Sequence, residues 1–115
     1  MTFDHFTPIA EVAAHRHPIL PNSERFEITR FVYDFNREAG ESSITLTLVS
    51  QDTGERKCLR FSHVRCRHPL EGYFGIYILD TSYRQWQRDV RIEVGEYFED
   101  GGVYFYAESV EELPI

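Results

Sequence analysis

Four side chains able to ligate a soft metal or attack a carbonyl fall within one short stretch: Cys58, His63, Cys66 and His68. Zinc takes two thiolates and two imidazoles, so they form an alternative metal set. Their spacing argues against it. The paired steps that let two ligands leave one turn, Cys-x2-Cys and His-x3-His, are missing, and in an extended chain Cys58 and His63 point to opposite faces. As a nucleophile Cys66 would gain from its neighbours Arg65 and Arg67, which favour a thiolate. No glycine-rich oxyanion loop surrounds either cysteine, and no Walker, Rossmann, EF-hand or HExxH pattern occurs. No catalytic residue and no cofactor are therefore assigned. With no basic and apolar leader at the N-terminus, the two cysteines read as reduced thiols of a soluble, cytoplasmic protein.

Charge is the second chemical signal. The 115-residue chain carries a net charge of -7, which repels nucleic acid and anionic membrane as a whole. The distribution is lopsided. Arg56, Lys57, Arg60, Arg65 and Arg67 supply five of the twelve basic residues, whereas the segment from Asp89 onward holds eight acids against Arg91. A nucleic-acid or zinc binder using residues 56–68 is the alternative reading, with Phe61, Tyr73 and Phe74 as stacking candidates. The acidic remainder would steer a basic protein partner, and aromatic residues carry much of the energy at such contacts. Tyr83, Trp86, Glu93, Glu96 and Glu99 form the expected contact set of a non-enzymatic protein-binding module. Tyr73, Tyr77 and Tyr104 are further aromatics expected at the surface, and a homo-oligomer is compatible with the same composition.

The elements that must position these residues are mostly strands. Ile44, Leu46 and Leu48 alternate with Thr45 and Thr47, and Leu59 and Phe61 alternate with Cys58, Arg60 and Ser62. Phe74, Ile76 and Ile78, then Val90, Ile92 and Val94, then Val103 to Val110 give three more runs, with a bulge expected at Gly95. Between Arg25 and Phe35 the alternation changes parity. A bulge near Thr29 and Arg30 would bring Phe26, Ile28, Phe31, Tyr33 and Phe35 to one face. Asn36–Ser42, Asp52–Gly54 and 99–102 read as turns, Arg65–Gly72 as a loop, and Ser82–Gln85 as a capping box opening a short helix around Trp86. One helix is expected over residues 6–14, with Thr7 as cap, Pro8 in the first turn and Phe6, Ile9, Ala10 and Ala13 on its apolar face. His15 and His17 follow as solvated residues. The predicted architecture is mainly β, bordering on α+β. It is a curved antiparallel sheet or partly closed barrel of about six strands in meander order, with one N-terminal helix, in a single domain over 1–115.

The second half also carries a recognisable pattern: Leu59-Arg60-Phe61-x2-Val64, then Gly75-Ile76-x-Ile78-x-Asp80-x-Ser82-x2-Gln85-Trp86, then Tyr97 and Phe105-Tyr106-x3-Val110. Over residues 44–112 it resembles small bacterial β-rich proteins related to an immunity-protein family of polymorphic toxin systems. The resemblance implies a protein that binds and blocks a toxin domain, with no catalytic residues and an acidic surface.

Overall fold

A computed structural model of the chain describes residues 7–65, 72, 74–84, 90–97 and 103–115. Its architecture is mainly β, with seven strands in two open antiparallel sheets and one helix. The larger sheet begins with the hairpin β1 (Phe26–Asn36) and β2 (Glu41–Ser50), continues through β3 (Arg56–Ser62) and is completed by β7 (Ser109–Leu113) in the order β1-β2-β3-β7. The smaller sheet is β4 (Ile76–Asp80), β5 (Ile92–Glu96) and β6 (Val103–Ala107) in chain order. Both hairpin turns of the larger sheet close on a glycine in the left-handed region, Gly40 at φ +67° and Gly54 at φ +75°. The single meander is broken twice, because the chain changes sheet between β3 and β4 and again between β6 and β7. The run Val103–Val110, expected as one strand, bends at Glu108 and changes sheet, so its two halves become β6 and β7.

The register of β1 against β2 slips between Ile28 and Arg30, where the parity change required a bulge. A second slip lies at Val94 and Gly95. The inner faces meet in one core that joins Ile44, Leu46, Leu48, Leu59 and Phe61 to Ile76, Ile78, Ile92, Val94, Phe105 and Ala107. Phe61 meets Phe105 edge to face across the layers, with ring centroids 5.2 Å apart. The bulge does not bury all five β1 residues. Phe26 and Ile28 are buried and Phe31 and Tyr33 half-buried, but Phe35 is 55% exposed, because the long β1–β2 hairpin overruns the five-residue strands of the smaller sheet. Phe74, also expected inward, is exposed.

The helix is shorter than expected, α1 at Ile9–Ala14, and Pro8 rather than Thr7 occupies its cap position. Its buried residue is Val12, packed on Tyr77 and Leu79, whereas Ala10 and Ala13 are exposed. A stripe read from two alanines discriminates poorly between faces of so short a helix. After α1 the chain lies along the edge of β4. His17 N–H donates to Ile78 O at 2.8 Å and Asp80 N–H to His15 O at 2.9 Å, which covers an otherwise unpaired strand edge. The smaller sheet is therefore buried on both faces, by the larger sheet on one side and by α1 and the 3-10 turn Ser82–Arg84 on the other.

Phe61→Ala is expected to cost about 3–5 kcal/mol in urea unfolding, and Phe35→Ala to stay within about 0.5 kcal/mol of wild type. The reverse order would contradict the placement of the core.

Candidate functional site

The residues singled out above do not form one site. Trp86, Glu99, Cys66, His68, Arg67, Tyr73, Phe6 and the turn at 99–102 lie outside the described residues. Of the expected contact set, Tyr83 (40% exposed) and Glu96 are at the surface. Glu93 is completely buried and leaves that set. Its alternation with Ile92 and Val94 was read correctly, but the second face of β5 is covered rather than wet. Tyr77 is buried for the same reason. Cys58 is half-buried in mid-β3 opposite Thr47, whereas His63 follows the end of that strand, roughly 17 Å along the chain at strand rise, so the two do not meet. Among the described residues no group of three or more His, Cys, Asp or Glu converges. The basic run is largely neutralised where it can be seen. Lys57 Nζ lies 3.3 Å from Glu112 and Arg60 2.8 Å from Glu111, because β7 pairs with β3 in register.

Two polar clusters remain, and they differ in character. The first surrounds Glu93. Thr7 Oγ1 and Tyr77 OH each donate to Glu93 Oε2 at 2.5 Å, and Arg84 Nη1 donates to Oε1 at 2.7 Å. Arg84 also donates from Nη2 to Glu11 Oε2 at 2.8 Å and from Nε at 3.0 Å. Tyr83 OH donates to the same Glu11 oxygen, and its ring stacks on His15 at 3.7 Å between centroids. This chain of contacts links α1, the Ser82–Arg84 turn and β5. Burial opposes the Arg84 charge, but the hydrogen bond to Glu11 and the field of Glu93 outweigh it and hold the guanidinium more firmly protonated than usual. Burial, with the Glu93 charge, raises the Tyr77 phenol above its ordinary range, so it stays a donor. The hydrogen bond from Tyr83, reinforced by Arg84, lowers Glu11 below the ordinary carboxylate range. With no buried side-chain nitrogen or oxygen left without a partner among the described residues, the cluster is a clasp.

The second cluster lies on the outer face of the larger sheet and is open. Register places Asp34 opposite Ser43, Ser43 opposite Ser62, and Ser62 opposite Ser109, one row across all four strands. Three serines side by side leave a low floor where neighbouring rows stand higher. Arg60 rises on one side, Asn36 and Glu41 on the other, and His63 and Glu108 close the end, giving a depression of about 510 Å3. His63 has φ +54°, the only described non-glycine residue with positive φ. This backbone turn sets its Nε2 3.6 Å from Glu108 Oε1. Among the described residues no hydroxyl of Ser42, Ser43, Ser62 or Ser109 hydrogen-bonds to the His63 ring; His63 N–H donates to Ser42 O at 2.8 Å, and Ser42 Oγ donates to Val64 O and accepts from Val64 N–H. A nucleophile and base pair is not assembled. The electrostatics are one-sided, with the carboxylates of Asp34, Glu41 and Glu108 facing a single guanidinium, Arg60, whose charge Glu111 already holds. Neither Asp34 nor Glu41 forms an ion pair with another described residue.

Sequence reading missed this depression. Outward parity of Thr45, Arg60 and Ser62 is legible, but Glu108 and Ser109 fall near the end of what reads as one continuous strand, Val103 to Val110. Only the change of sheet at Glu108 brings them beside Ser62.

Compared with protein-family models, with curated proteins and with solved structures, the chain matches none. Among the described residues no helix is long and apolar enough to cross a membrane.

Glu93→Gln removes one of the two carboxylates that hold the buried Arg84 guanidinium, leaving Glu11 to hold it, and is expected to cost about 3 kcal/mol. Tyr77→Phe, which removes one hydrogen bond to a charged group, is expected to cost about 1.5–3 kcal/mol; urea unfolding of both variants measures the difference. Acid is expected to destabilise the fold in two stages. Burial lowers His17 from its ordinary 6.5, so the unfolded chain takes up its proton first and stability drops as pH falls below that value. Ile19 N–H donates to His17 Nδ1 at 3.1 Å, a contact that requires the unprotonated nitrogen. Glu11 and Asp80 are both lowered in the fold, Glu11 by Tyr83 and Arg84 and Asp80 by Ser82. Their contribution is present above the ordinary carboxylate range and is lost as pH falls through the depressed folded values. Thermal midpoints across pH 7.5 to about 3 should show both stages, and His17→Asn, which keeps an acceptor for Ile19, should remove only the first.

Proposed function

We propose that the chain is a non-enzymatic protein-binding module that receives a basic side chain of its partner in the serine-floored depression on its larger sheet. The observation that carries this reading is the charge balance there, three carboxylates against one guanidinium already paired. Such a hollow favours a cation, and its floor of hydroxyl groups suits a hydrogen-bonding group such as a guanidinium better than an apolar one. The net charge of -7 supports the reading, since it would steer a basic protein toward this face. So does the resemblance over residues 44–112 to an immunity-protein family, whose members bind toxin domains. The alternative, a nucleic-acid or zinc binder using residues 56–68, draws less support. Lys57 and Arg60 are engaged by Glu112 and Glu111, and Cys58 and His63 stand apart.

The test is the affinity of a fluorescent arginine-rich peptide, followed by anisotropy. Binding should weaken with salt, and the triple variant D34N/E41Q/E108Q should lower affinity by at least about tenfold, near 1.4 kcal/mol. The pair Y83A/E96Q, on the other face, should leave it unchanged. Equal affinity of the triple variant and the wild type would refute the site.

A further inference from the structure

The serine-floored depression is lined by one imidazole among groups of fixed charge. Its charged lining is Asp34 from β1, Glu41 from β2, Arg60 from β3, Glu108 from the bend between β6 and β7, and His63 just past β3. Glu111 of β7 holds Arg60 at 2.8 Å. Carboxylates and guanidinium groups keep their charge between about pH 5 and 8, whereas an imidazole changes its own there. The other described histidines lie elsewhere: His15 stacks on Tyr83, and His17 runs along β4. Backbone hydrogen bonds set His63 and Glu108 beside the floor. His63 N–H donates to Ser42 O at 2.8 Å and Glu108 N–H to Ser62 O at 3.0 Å. The side chains then stand 3.6 Å apart, Nε2 to Oε1, too far for a hydrogen bond but within reach of a charge pair. A neutral ring leaves the Glu108 carboxylate to the hollow, and a protonated ring pairs with it.

We infer that His63 decides when the hollow accepts the partner's arginine: open to it with the ring neutral, closed to it with the ring protonated. This rests on the binding reading above and adds its regulation. The charge balance sets the direction. Three carboxylates against the Arg60 guanidinium attract a cation, and a proton on His63 halves the net negative charge of that lining. An arginine keeps its charge throughout, so the change falls on the protein alone. Two like unit charges about 5 Å apart at a water-exposed surface weaken binding roughly fivefold. His63 is exposed and Glu108 half-buried, so their own pairing contributes little to stability and replacing His63 leaves the fold intact. A partner taken up at neutral pH is released on mild acidification.

The test is the anisotropy of the fluorescent arginine-rich peptide at about pH 8 and about pH 5.5, at constant ionic strength, with wild type and H63N. Asparagine tolerates the left-handed backbone at φ +54°, and circular dichroism at both pH values checks that each protein is folded. Wild type should bind about fivefold more weakly at the lower pH. H63N should give one affinity at both. By reciprocity, calorimetry of the same titration at about pH 6.5, in two buffers of different ionisation enthalpy, should show proton release by wild type and none by H63N. Any acid effect on the fold through His17 is common to both proteins and cancels in the comparison. Wild-type affinity that does not change with pH, or an acid loss as large in H63N as in wild type, would overturn the inference and leave the binding reading standing. Absence of binding by wild type at the higher pH would refute the binding reading itself, and this inference with it.

Discussion

Much of this structure depends on the bend at Glu108, where the chain leaves one sheet and enters the other. Ala107 is the last residue of β6 and Ser109 the first of β7, so one residue spans the corner between the layers. The turn is held on both sides: Glu108 N–H donates to Ser62 O at 3.0 Å, and Arg65 and Tyr106 exchange backbone hydrogen bonds at 2.8 and 3.1 Å. Corners of this kind let two sheets share a core without closing into a barrel. Three consequences follow from the one bend. Phe105 faces Phe61 across the layers, Glu111 and Glu112 come to rest beside Arg60 and Lys57, and Ser109 completes the row of serines with Glu108 at its end.

The buried clasp around Glu93 has a different task. A fully buried carboxylate is costly unless its charge and lone pairs are matched, and here three donors from three elements converge on it. Because Arg84 bridges Glu93 and Glu11, the short α1, which would not hold as an isolated helix, is tied to the sheet it covers. Among the described residues no helix or turn covers the outer face of the larger sheet in this way. The carboxylates of Asp34 and Glu41 have no ion-pair partner among the described residues, which is why binding is assigned to that face.

What could be read from the chain alone followed from local periodicity. The alternation of Ile44, Leu46 and Leu48, the bulges at Thr29 and Gly95 and the glycine turn at Gly54 each declare themselves within a few residues. Whatever depended on a third layer did not. Tyr77 and Glu93 sit on strand positions that look outward in sequence, and nothing local tells that α1 and Arg84 lie over them. The depression was hidden for a related reason, since its row of Asp34, Ser43, Ser62 and Ser109 draws one residue from each of four strands. Its members share no sequence spacing, and only register aligns them.

The most direct measurement of the central claim is a map of where a basic group lands. Amide chemical-shift changes on titrating an arginine-containing peptide into the isotope-labelled protein should be largest at Ser43, Ser62, Ser109 and the neighbouring Glu41 and Glu108. Changes centred on Tyr83 and Glu96, with the serine row unmoved, would contradict the assignment of binding to the larger sheet.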